Sequence, residues 1–179
     1  GNGGFVEVSG WEHITIEGLV DTSATNGVAG TFLIDPYNVT ITTADANGSW
    51  TGANPDVFTP TNTGSTIANK TIQTLLAAGH VTITTVNGGG GEAGNIYVNA
   101  PIVYSGANNL LLSAEGQIFV NSPITFTGAG GITLTAATDN VYVDQSLTAG
   151  GAIAINAEDD IIINADIIAG GDFKFRDNG

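Results

Sequence analysis

Cysteine is absent from the 179 residues, which excludes disulfides, thiolate nucleophiles and zinc sites built on Cys. Cations are almost as scarce: Lys70, Lys174 and Arg176 stand against seventeen acidic residues, for a net charge of −14. Nucleic acid and anionic lipid both need clustered Lys and Arg, so neither is an expected partner. No apolar run approaches the roughly 18 residues that span a bilayer, and no charged-then-apolar signal stands at the start, so membrane insertion is not expected. The acids are spread along the chain and 42% of residues are hydrophobic, a composition that folds and uses its charge for solubility.

What is present is a repeat. Ile96-Tyr97-Val98-Asn99, Ile118-Phe119-Val120-Asn121, Val141-Tyr142-Val143-Asp144 and Ile161-Ile162-Ile163-Asn164 recur with a period of 20 to 23 residues. Six residues after each start comes another apolar residue (Ile102, Ile124, Leu147, Ile167), then a small-residue turn. A further apolar pair follows: Leu110-x-Leu112, Ile132-x-Leu134, Ile153-x-Ile155 and Phe173-x-Phe175. Apolar residues alternate with Thr, Tyr, Asn, Asp or Ser, the period-two pattern of a strand with one buried face. A unit this small cannot bury its own apolar face and must stack on its neighbours. The leucine and asparagine consensus of a leucine-rich repeat is missing. The expected fold is therefore all-β: a right-handed parallel β-helix with two or three short strands per coil. It reads as one segment of a longer solenoid.

Stacking at roughly 4.8 Å sets equivalent positions above one another. Asn99, Asn121, Asp144 and Asn164 then form a structural ladder at one corner, with amides bonding to each other and to turn backbone. Gly106, Gly128 to Gly131, Gly150-Gly151 and Gly170-Gly171 mark turns where positive φ costs glycine little. Thr-x-Thr occurs at residues 40–42, 82–84, 125–127 and 133–135. Regular threonine arrays can match ice or a crystalline polymer, but these pairs do not recur on successive coils, and β-branched strand filling accounts for them.

The first half carries earlier coils at Phe5-x-x-Val8, Ile14-x-Ile16, Leu19-Val20, Phe32-x-Ile34 and Val39-x-Ile41. Residues 1–42 are read as first coils, 43–80 as an excursion and 81–179 as regular coils. The excursion is rich in Gly, Asn, Pro, Thr and Ser, and long loops of this kind often carry function. A short helix near residues 70–78 closes it, with Asn69 as cap, Ile72, Leu75 and Leu76 on one face and Gly79 at the end. Trp50 and Phe58 are the candidate ligand contacts there, since aromatic rings stack on sugars or pack beneath a loop.

Candidate chemistry is sparse. A glycosidase needs two carboxylates at a set separation, and Asp159-Asp160 with Asp139 or Asp144 could supply them. No cation stands nearby to hold an anionic sugar, and adjacent extended residues face opposite ways. Glu115, Asp139 and Asp159 each precede a strand and could align for calcium, without the Gly-Gly-x-Gly-x-Asp repeat that signals it. His13 and His80 lack companions for a metal or haem site. Gly88 to Gly91 has no Lys-Ser or Lys-Thr behind it and is a flexible turn. No catalytic, cofactor or metal residue is therefore assigned. Asn38, Asn47 and Asn69 each open an Asn-x-Ser/Thr glycosylation pattern.

One further resemblance runs through nearly the whole chain. Gly3-Gly4-Phe5-Val6-Glu7-Val8-Ser9-Gly10, Val20-Asp21-Thr22-Ser23-Ala24 and Gly30-Thr31-Phe32-Leu33-Ile34-Asp35-Pro36-Tyr37-Asn38-Val39-Thr40-Ile41 resemble large bacterial exoproteins of the filamentous haemagglutinin and high-molecular-weight adhesin type. Thr71 to Leu76, Val81 to Thr85 and Gly94 to Val98 resemble the next part of that pattern. The resemblance implies two-partner secretion through an outer-membrane transporter, a long β-helical fibre at the bacterial surface, and attachment to a host-cell or surface glycan or protein receptor. The secretion domain of such proteins carries Asn-Pro-Asn-Gly. Here Asn54-Pro55 is followed by Asp56, which places this piece downstream, in the fibre. The alternatives are a polysaccharide-degrading β-helix enzyme, hydrolase or lyase, and a passive shaft without a ligand.

Overall fold

The computed structural model describes residues 1–9, 20–35, 38–43, 48–50, 58–60, 65–85 and 93–179. Strands β1 (Phe5–Ser9), β2 (Thr31–Asp35) and β3 (Val39–Thr42) come first. A hairpin of β4 (Gly48–Trp50) and β5 (Phe58–Pro60) follows, then β6 (Ser65–Ala68) and the helix α1 (Asn69–Ala78). From there each coil lays down three strands. They are β7 (His80–Thr84), β8 (Ile96–Val98) and β9 (Ile102–Tyr104), then β10 (Leu110–Ala114), β11 (Ile118–Val120) and β12 (Ile124–Phe126). The series continues with β13 (Ile132–Ala136), β14 (Val141–Val143), β15 (Leu147–Ala149), β16 (Ile153–Ala157), β17 (Ile161–Ile163), β18 (Ile167–Ala169) and β19 (Phe173–Asp177).

Strands of successive coils pair in parallel and build three sheets, in the orders β1-β2-β7-β10-β13-β16-β19, β17-β14-β11-β8-β3-β6 and β18-β15-β12-β9. The chain is a parallel β-helix, as the period and alternation imply. Inward positions stack in register: Leu110 on Ile132 and Ile153, Ile118 on Val141, Ile124 on Leu147. All are essentially inaccessible to water and form one continuous core from Phe32 to Ala157. Pro101 and Pro123 sit just before third-sheet strands, where Pro123 supplies only its carbonyl, to the Ile102 N–H, and its missing N–H costs nothing.

The structure departs from the sequence reading in three places. First, residues 65–68 lie inside the stretch read as an excursion, yet β6 stacks on β3 in parallel, with Ile67 and Ala68 buried. The chain thus leaves the stack after Thr43 and rejoins it on the far side of β3 from β8. Second, Asn69 is the first helical residue and not the cap. The cap position is Ala68, which makes no side-chain capping bond. The buried Asn69 donates from Nδ2 to the Pro101 carbonyl at 2.6 Å and accepts from the Lys70 N–H at 2.9 Å. Asn108 Nδ2 reaches the Leu76 carbonyl at 2.8 Å. These bonds dock α1 beside β9, where the third sheet would otherwise have its next strand, and Ile72, Leu75 and Leu76 complete the core.

Third, the turn glycines do not serve positive φ. Among the described glycines Gly94 alone has it, at +69°. Gly128, Gly150 and Gly170 are needed for close approach instead. A Cβ on Gly150 would stand 2.2 Å from the Gly128 carbonyl oxygen, and one on Gly170 would stand 2.4 Å from that of Gly150. Gly79 likewise closes α1 in an extended conformation, with its N–H bonded to the Leu75 carbonyl.

Candidate functional site

The corner residues Asn99, Asn121, Asp144 and Asn164 are joined by side-chain bonds in two pairs, Asn99 with Asn121 and Asp144 with Asn164. Each backbone N–H of Asn99, Asn121, Asp144 and Asn164 donates to a carbonyl one coil back, on Ile41, Val98, Val120 and Val143. That leaves the side chains free to stack outside. Asn121 Nδ2 donates to Asn99 Oδ1 at 2.9 Å, and Asn164 Nδ2 to Asp144 Oδ1 at 2.7 Å. Asp144 is thus an accepting rung of the ladder, held by an amide and not by a cation.

A second polar ladder escaped the sequence reading. It stands at the opposite end of the same strands. Asn38 Oδ1 accepts the Asn95 N–H at 2.6 Å, Asn95 Oδ1 the Gln117 N–H at 2.7 Å, and Asn140 Oδ1 the Asp160 N–H at 2.7 Å. The spare amide hydrogens of Asn95 and Asn140 go to the hydroxyls of Tyr97 and Tyr142, both at 3.0 Å. The recurring Asn-x-Tyr was the available signal.

Between the two ladders, Tyr97, Phe119 and Tyr142 form an outward aromatic column. Ring centroids are 5.0 and 4.9 Å apart and the planes lie within 3° of parallel. Both faces of Phe119 are covered by its neighbours, so no sugar can stack on it. The column binds coil to coil. Phe119→Ala removes two stacked contacts of roughly 0.5–1.5 kcal/mol each, besides the buried ring area. The expected loss of about 2 kcal/mol should appear in denaturant unfolding, with the fold retained by far-ultraviolet circular dichroism.

The carboxylates do not converge. The turn after β13 is one residue longer than those after β10 and β16, so Glu115, Asp139 and Asp159 do not share one column. Glu158 follows Ala157 as Glu115 follows Ala114, whereas the Asp159 N–H bonds the Asp139 carbonyl. Asp139 accepts from Gln117 Nε2 and the Asn140 N–H, and Glu158 from Asn178 Nδ2. Among the described residues no group of three His, Asp or Glu is placed to hold a metal ion. Asp21, fully exposed, is held below the ordinary carboxylate range by the Ser23 hydroxyl and then the Ser23 N–H. His80 accepts the Asn109 N–H on Nδ1 at 2.9 Å and serves a turn.

Two threonine pairs do share an outer face. Thr82 and Thr84 stand in the columns of Thr133 and Thr135, separated by Leu111 and Ser113 of the intervening coil. The interruption breaks the array. Of the glycosylation patterns, Asn69 has its amide nitrogen buried and bonded, and Asn38 is half-buried with its oxygen engaged. Asn47 lies outside the described residues, as do His13, Asn54-Pro55-Asp56 and Gly88 to Gly91.

The hairpin is the one antiparallel pair among the described strands and belongs to none of the three sheets. Its register sets Trp50 opposite Phe58, Ser49 opposite Thr59 and Gly48 opposite Pro60. Eight residues apart in sequence, the two aromatic residues are brought to one cross-strand pair. Comparison with family models, with curated proteins and with solved structures finds no match to this chain.

Proposed function

We propose that this chain is a structural and adhesive segment of a long secreted bacterial surface fibre, with a shaft formed by the solenoid and a contact formed by the hairpin. The observation that carries the reading is the division of labour in the fold. Backbone bonds, amide ladders and the aromatic column all run along the axis and join coil to coil. The hairpin belongs to none of the three sheets, and its backbone register sets Trp50 opposite Phe58, two residue types that anchor contacts with sugars or protein surfaces. The ligand class proposed is a host-cell or surface glycan or protein. The resemblance noted above supports export of the parent chain by an outer-membrane two-partner-secretion transporter.

A glycan array separates this reading from its rivals. The purified chain is expected to bind a subset of glycans and to release no sugar from them. Trp50→Ala with Phe58→Ala should weaken binding at least about tenfold, the loss of roughly 1.4 kcal/mol or more that removing an aromatic anchor brings. Turnover of a polysaccharide would favour an enzyme. Absence of binding to glycans and to cells would favour a passive shaft.

A further inference from the structure

Asn-Gly is the dipeptide most prone to succinimide formation, because glycine puts no side chain in the way when its backbone nitrogen turns on the preceding amide. Among the described residues the pair occurs whole at Asn26-Gly27 and Asn178-Gly179. The fold treats the two differently. Asn178 Oδ1 accepts from Arg176 Nε at 2.8 Å, its Nδ2 donates to Glu158 Oε2 at 3.1 Å, and the Gly179 N–H donates to Asp177 Oδ1 at 3.1 Å. Electrophile, leaving group and nucleophile are all held there. Asn26 is exposed in the turn over residues 25–27, and neither its side chain nor the Gly27 N–H has a hydrogen-bond partner among the described residues.

The exposure is that of a turn within the stack. On one side the Gly3 N–H donates to the Val28 carbonyl at 2.9 Å and Asn2 Oδ1 accepts the Val28 N–H at 3.1 Å; on the other the Gly30 carbonyl accepts the His80 N–H at 3.0 Å. Packing also fixes the glycine. A Cβ at position 27 would stand 2.3 Å from the Gly1 carbonyl oxygen, so close approach keeps Gly27 beside an unrestrained asparagine.

We propose that Asn26 is a site of spontaneous modification, deamidating through a succinimide to isoaspartate and aspartate. The Gly27 nitrogen attacks Asn26 Cγ and bonds to it, the Cγ–Nδ2 bond breaks, and Nδ2 leaves as ammonia with the Gly27 amide proton. Water then opens the ring. Attack of water at Cγ returns an aspartate in the normal chain, and attack at the backbone carbonyl leaves the chain running through Cγ as isoaspartate. Either product adds a negative charge. Isoaspartate also lengthens the main chain by one methylene, two residues before Val28, whose N–H and carbonyl tie this turn to Asn2 and Gly3. The modification therefore loosens that tie.

Incubation of the full chain at mildly alkaline pH, followed by peptide mass spectrometry and isoaspartyl methyltransferase labelling, tests this. Asn26 is expected to convert at least about tenfold faster than Asn178, the factor that about 1.4 kcal/mol of retained hydrogen bonding brings. In denaturant the two rates should converge, since the restraint on Asn178 is lost. Asn26→Gln should remove the label at this position and leave melting unchanged, as for any exposed side chain without a partner. The isoaspartyl fraction should show faster hydrogen exchange at the Gly3 amide. Equal rates in the folded chain, or a gap that persists in denaturant, would overturn the proposal. Unchanged exchange at Gly3 would overturn the loosening.

Discussion

Leu134→Asp is expected to abolish the cooperative unfolding transition. Leu134 lies at the centre of β13, inaccessible to water, between Leu112 of the coil before and Ile155 of the coil after. Truncating such a residue to Ala costs about 2–5 kcal/mol in lost burial and cavity formation. A carboxylate adds the cost of a buried charge or of its protonation, with no cation near to offset it. The sum is comparable to the roughly 5–15 kcal/mol that holds a domain folded. A solenoid is stabilised by its coil-to-coil interfaces, so failure of one middle coil uncouples the coils on either side. The outward neighbour is the control: Thr133→Asp should change stability by about 0.5 kcal/mol or less. Calorimetry on both variants distinguishes them. An unchanged Leu134→Asp melting curve would refute the inward assignment.

Gly150→Ala should cost about 3 kcal/mol or more, a large effect for a single methyl group at an exposed site. The added Cβ falls 2.2 Å from the Gly128 carbonyl oxygen, a backbone atom that cannot move without disturbing the coil below it. Thr127→Ala, also exposed in that turn region, should be within about 0.5 kcal/mol of the parent. Denaturant midpoints for the two give the comparison. Equal, small effects would mean that the coils are not packed backbone to backbone at this corner.

The sequence was most readable where local pattern and global fold agree. In residues 96–175 strand alternation and the 20- to 23-residue period state the same architecture twice, and the Asn99–Asn164 ladder follows from stacking alone. Readability failed where a position is set by a neighbouring coil. Ser65–Ala68 offers one large apolar residue, Ile67, amid turn-formers, so nothing local marks it as a strand of the body. Asn69 reads as a helix cap by type, but its side chain is claimed by the Pro101 carbonyl, 32 residues away. The glycine column reads as turn conformation when the cause is the backbone of the next coil. A one-residue difference in turn length moved Asp139 out of line with Glu115. Trp50 and Phe58 were legible as candidates, and their pairing was not, because the seven intervening residues hold turn-formers (Gly52, Asn54-Pro55) but exceed the two- to five-residue loops that fix a hairpin's register.

The placement of β6 also sets the boundaries of the decisive variant. Removing residues through 68 would strip Ile67 and Ala68 from the core, so the replaced segment must end before Ser65. Adhesion to intact cells should be measured for the parent chain and for a variant with residues 44–63 exchanged for a short glycine-serine linker. Both should melt alike. Saturable binding by the parent and its loss in the variant is the expected result. Equal binding by both forms, or binding by neither, would contradict the assignment of adhesion to the hairpin.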